Sequence, residues 1–192
     1  NWEEIVSEDE AAVLKWMQIV GGHLVLTYLE DAQSKLVVHK LDGTRVREVD
    51  LPDMGTSYGM SGQPEHDEAY FTFQSFTSPK QIYKTSIKTG ETSLWSQEEL
   101  PVDMSDYTVD QVWYESADGT EVSMFVVHKE GIAMDGSTPF LLYGYGGFDV
   151  SLTPRFRESV IPWLEAGGGY AVPNLRGGGE YGESWHESGM LD

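Results

Sequence analysis

Cysteine is absent from these 192 residues, so neither a disulfide framework nor a thiolate metal site can be built. That absence fits any compartment and favours none that depends on disulfides. Basic residues are scarce, with 12 Lys and Arg against 32 Asp and Glu and a formal net charge of -20. A surface this acidic repels phosphate backbones and anionic lipid, which argues against nucleic acid and membrane as partners. Its plainer consequence is solubility. No apolar stretch approaches the ~20 residues needed to span a bilayer. The first ten residues, NWEEIVSEDE, are acidic and lack the apolar segment of a secretory signal. None of the histidines (His23, His39, His66, His128 and His186) stands at a metal-ligand spacing from another, such as H-E-x-x-H. The chain starts without Met and closes on SGMLD without tail-like character, so it reads as a piece of something longer.

What is present is enough apolar content, 40%, for a packed core in one large domain or two small ones. Two stretches resemble each other. His23 to Gly43 and Ala69 to Gly90 each read as an apolar strand, a polar turn, a second strand, and a Gly turn into a third strand. Their offset is about 46 residues, within the ~40–50 residues of a propeller blade. One small antiparallel sheet cannot bury both faces, so blades stack around an axis, and two cannot close a ring. A plain antiparallel sandwich is the alternative.

After Asp106 the pattern changes. Val109 to Lys129 holds two alternating strands around Asp118-Gly119, a strong hairpin signal. FLLYGYGGF reads as a short buried strand entering a Gly-rich turn. RFRESVIPWLEAGGG follows with Val160, Ile161, Trp163 and Leu164 on one side of a helix, Pro162 marking its first turn or a kink. GYAVPNL is another apolar strand, RGGGEYG a second Gly-rich turn, and ESWHESGM the opening of another helix. Strands alternating with helices indicate an α/β sheet. The change falls between Pro101 and Tyr107.

Three motifs invite chemistry. GTSYG, residues 55–59, fits G-x-S-x-G, but a nucleophile elbow needs a strand entering it and a helix leaving it. Pro52 breaks the upstream side, and Gly62 and Pro64 discourage a downstream helix, so Ser57 is a lookalike on a linking segment. GGGEYG, residues 177–182, fits the dinucleotide fingerprint, yet Glu180 would sit where a pyrophosphate approaches. Tight-turn glycines are the simpler account. His128 on a strand and His186 on a helix read as structural or surface histidines, His186 having the better case for a site role because it follows a Gly-rich loop. LYGYGGF, residues 142–148, carries more. It follows the third strand of the second region, where an α/β-hydrolase builds part of its oxyanion hole. Glycines there admit close backbone approach, the Tyr145 phenol can donate to a developing oxyanion, and Phe148 offers a rigid apolar face. Ordinary core aromatics beside a tight turn remain the alternative.

Taken together, YGYGGF with SLTP, NLRGGGEYGESWH, DGTEVSMFVVHKEGIAMDGS, SGQ at 61–63 and FQSFTSP at 73–79 resemble the prolyl oligopeptidase (prolyl endopeptidase) family over essentially the whole chain. The resemblance implies a β + α/β fold: residues 1–105 as the last two blades of a β-propeller, and 106–192 as the first part of an α/β-hydrolase domain. It implies an intact parent that is cytoplasmic, monomeric and free of cofactors. That parent would be a serine peptidase cutting short peptides on the carboxyl side of proline. Tyr145 then matches the oxyanion-hole tyrosine and Phe148 an aromatic wall of the proline pocket. Arg176 and the glycines after it match a family motif with a structural role. The nucleophile elbow follows the fifth strand of this fold, and the chain reaches about the fourth. The Ser, Asp and His of the triad are therefore expected outside it, and the segment alone is expected to be inactive. Oligopeptidase B, which cuts after Lys or Arg, resembles the chain more weakly, because its corresponding turn lacks the Phe. A non-catalytic, propeller-based binding protein is the third possibility.

Overall fold

The computed structural model describes residues 2–190. Its first half is two four-stranded antiparallel sheets, each a simple meander. Strands β1 (Ala12–Val20), β2 (His23–Glu30), β3 (Gln33–Lys40) and β4 (Arg45–Val49) form the first, in chain order. Strands β5 (Met60–Gly62), β6 (Glu68–Phe73), β7 (Gln81–Ser86) and β8 (Thr92–Gln97) form the second, also in chain order. The two repeats seen in the sequence are the last three strands of each sheet. The leading strands β1 and β5 escape a pattern search because β1 buries only Val20 fully and β5 has three residues.

The sheets pack face to face. Val20, Val25, Leu36 and Val38 of the first meet Met60, Phe71, Phe73 and Ile87 of the second in one apolar cluster. Both faces of β2 are covered, so five of its eight residues are buried and the two-residue alternation is lost. Arg47 staples the pair by donating to the carbonyl oxygens of Ser86, at 2.9 Å, and Ile87.

The second half is a mixed sheet. Strands β9 (Tyr107–Glu115), β10 (Glu121–Lys129), β11 (Phe140–Leu142) and β12 (Gly169–Pro173) lie in the order β11-β12-β10-β9. The hairpin between β9 and β10 turns at Asp118-Gly119, with Glu115 opposite Glu121. β11 and β12 run parallel. Their crossover carries a 3-10 turn, Glu158–Val160, and the short helix α1, Ile161–Glu165, with Pro162 in its first turn. Val160, Ile161 and Leu164 are buried as the helical spacing requires, but Trp163 points away from that side and stays partly exposed. Its indole N–H donates to the Gly169 carbonyl at 2.7 Å. The reading of β11 as buried is corrected: Phe140, Leu141 and Leu142 are all exposed, because β11 is an edge strand uncovered among the described residues. A second short helix, α2 (Glu183–Glu187), closes the described part.

The two halves share a core. Phe125, Val127, Tyr170 and Val172 of the mixed sheet pack with α1 and with Ala32 and Phe76 from turns of the antiparallel sheets. Ala32 sits in a two-residue turn with Asp31, both at positive φ (59° and 48°), the twist a tight hairpin prefers. Gln111 on β9 grips that turn, donating to the Asp31 carbonyl at 2.7 Å and accepting from Gln33 at 2.8 Å. The Thr56 hydroxyl donates to the Pro154 carbonyl at 2.7 Å.

Much apolar surface is left open. Leu14, Trp16, Met17 and Ile19 of the edge strand β1 are exposed, as are Leu94 and Trp95 on β8. Exposed edges and apolar patches drive association, while a charge of -20 opposes it. Because salt screens the repulsion and leaves the apolar term, the 192-residue chain is expected to self-associate, and more so as ionic strength rises. Sedimentation velocity across a salt series reads this directly; a monodisperse monomer in high salt would contradict it.

Candidate active site

Two Gly-rich turns meet at the C-terminal ends of the parallel strands. The first, residues 143–149, leaves β11; the second, residues 176–182, follows β12. Their backbones touch. A Cβ on Gly177 (φ 95°) would lie 2.5 Å from the Gly146 carbonyl oxygen, and one on Gly146 (φ 60°) would lie 2.6 Å from Leu175 Cβ. No side chain fits at either position, and both need a left-handed conformation that glycine adopts freely.

Gly177 is also the hub of the hydrogen bonds. Its N–H donates to the Trp185 carbonyl at 3.0 Å, and its carbonyl accepts from the Asp149 N–H at 3.1 Å. His186 Nδ1 lies 2.7 Å from the same carbonyl oxygen and 3.2 Å from the Asp149 N, so one ring nitrogen meets both turns. His186 thus ties α2 to the turn. Arg176 ties the turn to the β9–β10 hairpin, reaching Asp118 at 2.5 Å, Thr120 and Ser116. The Arg176 guanidinium, with help from the Thr120 N–H, holds the Asp118 carboxyl well below the usual carboxylate range.

Behind the turns lies a buried polar cluster. Tyr181 donates to Ser123 Oγ, and Ser123 donates to Asn174 Oδ1 at 2.9 Å. Asn174 Nδ2 donates to the Leu152 carbonyl at 2.6 Å, and the Leu152 N–H donates to Glu180 Oε1 at 2.7 Å. Glu180 is 1% exposed, and burial raises its carboxyl above the ordinary value. Burial likewise pushes the Tyr181 phenol up to about 12. Glu180, whose charge counted against a pyrophosphate at this turn, points into the protein: residues 177–180 are all buried, and its carboxyl accepts from the Leu152 N–H.

The two residues singled out as chemical candidates sit on the first turn. Tyr145 is 51% exposed, and its hydroxyl makes no hydrogen bond among the described residues. Phe148 is 86% exposed and has a φ of 55°, unusual for a side chain of its size. Neither lines the groove of about 860 Å³ that runs between the N-terminal residues, β1, β2 and Tyr181–Ser184. Ser57 is buried on the link between the antiparallel sheets, with no strand-to-helix turn around it, as its flanking residues indicated. The cluster of Ser123, Asn174 and Glu180 was missed; the polar residues bracketing three consecutive glycines in NLRGGGEYG were the available signal.

Comparison with known proteins follows the same division. Residues 1–98 match the model of the prolyl oligopeptidase N-terminal β-propeller domain, and residues 154–192 match the prolyl oligopeptidase family model. A prolyl endopeptidase from Elizabethkingia miricola is 38% identical over 98% of this chain and 26% of its own length. The chain belongs to the prolyl oligopeptidase family. It spans about a quarter of the length of the curated relatives it matches. Among solved structures, one from a study of two prolyl endopeptidases superposes with a TM-score of 0.93 at 53% identity, over 99% of this chain and 28% of that one. Prolyl oligopeptidase B from Galerina marginata, bound to a 35-residue substrate, gives 0.89 at 27% identity over 97% of this chain and 27% of its own. For a prolyl oligopeptidase segment, then, residues 1–98 are propeller-domain sequence and residues 154–192 belong to the peptidase part of the family. No helix among the described residues is long and apolar enough to cross a membrane.

The Arg176–Asp118 tie has a signed pH dependence. Because the folded-state carboxyl is depressed, its contribution is complete above the unfolded value of ~3.9 and is lost as pH falls toward the folded one. In a protein of the relatives' length carrying this segment, Asp118→Asn should lower the unfolding midpoint at pH 7. The gap to the parent should begin to close only below about pH 4. Equal midpoints at pH 7 would show that the exposed pair contributes nothing.

Proposed function

We propose that the chain is part of a serine endopeptidase that hydrolyses short peptides on the carboxyl side of proline. In this reading Tyr145 helps to stabilise the oxyanion and Phe148 forms one wall of the proline pocket. Residues 1–105 are the last two blades of the propeller, and 106–192 open an α/β-hydrolase domain whose Ser, Asp and His lie outside these residues. The parent is a cytoplasmic monomer that takes proline-containing peptides and uses no cofactor.

The observation that carries the proposal is the turn after β11. It follows the third strand of the mixed sheet, where hydrolases of this type place part of the oxyanion hole. Its phenol has no partner among the described residues. Tyr145 and Phe148 are both exposed among the described residues, which leaves their side chains open to a ligand. Support also comes from the prolyl endopeptidase relatives, which align over nearly the whole chain.

The chemistry follows from charge. A serine hydroxyl adds to the scissile carbonyl carbon while a histidine takes its proton, and the carbonyl oxygen becomes negative. The Tyr145 hydroxyl donates to that oxygen more strongly than to the neutral carbonyl, so the barrier falls. The histidine returns its proton to the departing amine, and water then releases the acyl group by the same steps. Phe148 selects proline through contact area with the ring, a modest discrimination for one wall.

In the full-length protein, Tyr145→Phe should lower kcat by about 10²–10³-fold, the usual cost of one lost oxyanion donor. A Gly-Pro fluorogenic substrate should be cut and an Arg-Arg one spared. An unchanged kcat would remove Tyr145 from the mechanism, and cleavage after arginine would replace the proline assignment.

A further inference from the structure

The loop bearing Tyr145 and Phe148 has no regular structure from Tyr143 to Arg157, so something else must hold it. At its entrance the Tyr143 N–H donates to the Ala171 carbonyl at 2.9 Å, which extends the pairing of β11 with β12. At its middle the Asp149 N–H donates to the Gly177 carbonyl at 3.1 Å. At its exit, Glu180 and Asn174 together take both backbone polar groups of Leu152. The N–H goes to Glu180 Oε1 at 2.7 Å, and the carbonyl oxygen accepts from Asn174 Nδ2 at 2.6 Å.

We propose that Glu180 is a positioning residue for the reaction: with Asn174 it clamps Leu152 as a strand would, and thereby fixes where the loop presents Tyr145 and Phe148. This rests on the oxyanion reading of Tyr145. A carboxyl with 1% exposure is an expensive way to fill space. One of its oxygens, Oε2, has no partner among the described residues. An apolar side chain would pack there at lower cost, so the feature that distinguishes Glu180 is the acceptor it aims at the Leu152 N–H. Oε2 and the Val150 carbonyl border the same tight space: a Cβ on Gly178 would lie 2.2 Å from one and 2.9 Å from the other.

The test separates the acceptor from the volume. Glu180→Gln keeps an acceptor and Glu180→Met keeps only the bulk. In the full-length protein, hydrogen exchange of the Leu152 amide should speed up by about tenfold or more in E180M and stay at the parent rate in E180Q. On a proline substrate, kcat/KM should fall about tenfold in E180M, mostly in kcat, and stay within about twofold in E180Q. In a Tyr145→Phe background E180M should lower kcat by less than about a further twofold, because the phenol whose position it sets is gone, while any displacement of Phe148 is read in KM. If E180M does not fold, Asn174→Ser, which removes the donor to the Leu152 carbonyl, should show the same loss in kcat and the same non-additivity. A folded E180M with parent-like exchange overturns the clamp. Parent-like kinetics with accelerated exchange overturns its catalytic role. An inert Tyr145→Phe instead faults the oxyanion reading, and the exchange arm still decides the clamp.

Discussion

The carbonyl oxygen of Gly146 lies where Gly177 would carry a side chain, and this backbone-to-backbone contact is the constraint on which the site depends. Two turns that close can share one hydrogen-bonding centre. Gly177 serves Trp185, Asp149 and His186 at once, so α2, the first turn and the second turn are fixed to one another through a single peptide. Any Cβ at Gly177 must push the turns apart, because its nearest neighbour is backbone and not the yielding end of a side chain. The phenol at Tyr145 is one residue from the contact, which makes its position a consequence of glycine geometry.

Around that contact the protein separates polar from apolar. The outer surface of the turns holds the aromatics Tyr145 and Phe148, exposed and unpaired. The inner surface holds Ser123, Asn174 and Glu180, buried and linked. The reversal makes sense if the outer aromatics meet a peptide and the inner polar groups hold a loop with no regular structure of its own. A helix or strand would satisfy the Leu152 backbone internally; here side chains do it. Arg176 and Asp118 carry the same frame out to the β9–β10 hairpin. The packing of Ala32 and Phe76 against Phe125 and Tyr170 seats the whole mixed sheet on the antiparallel ones.

The sequence made the repeated meanders, the hairpin at Asp118-Gly119 and the two Gly-rich turns legible, because turn glycines and apolar strands are local signals. It also disqualified Ser57 correctly, since Pro52, Gly62 and Pro64 forbid the strand-to-helix context an elbow needs. Less local features were hidden. β1 and β5 were missed because their pairing, and not their composition, makes them strands. β11 looked buried because Phe140, Leu141 and Leu142 are apolar, but edge position is a property of the sheet. Glu180 looked like a group at the mouth of a turn, and only the fold reveals Leu152, distant in sequence, above it.

The most direct measurement of this account compares two glycine substitutions in the full-length protein. Gly177 and Gly167 have similar positive φ values, 95° and 89°, but a Cβ on Gly177 meets the Gly146 carbonyl and one on Gly167 meets nothing within 4 Å. Both alanine variants carry the same left-handed strain, of order 1 kcal/mol, so their difference isolates the contact. Gly177→Ala should lower kcat/KM on a proline substrate at least about tenfold beyond Gly167→Ala. Equal activity in the two folded variants would mean that the meeting of the turns does not set the site.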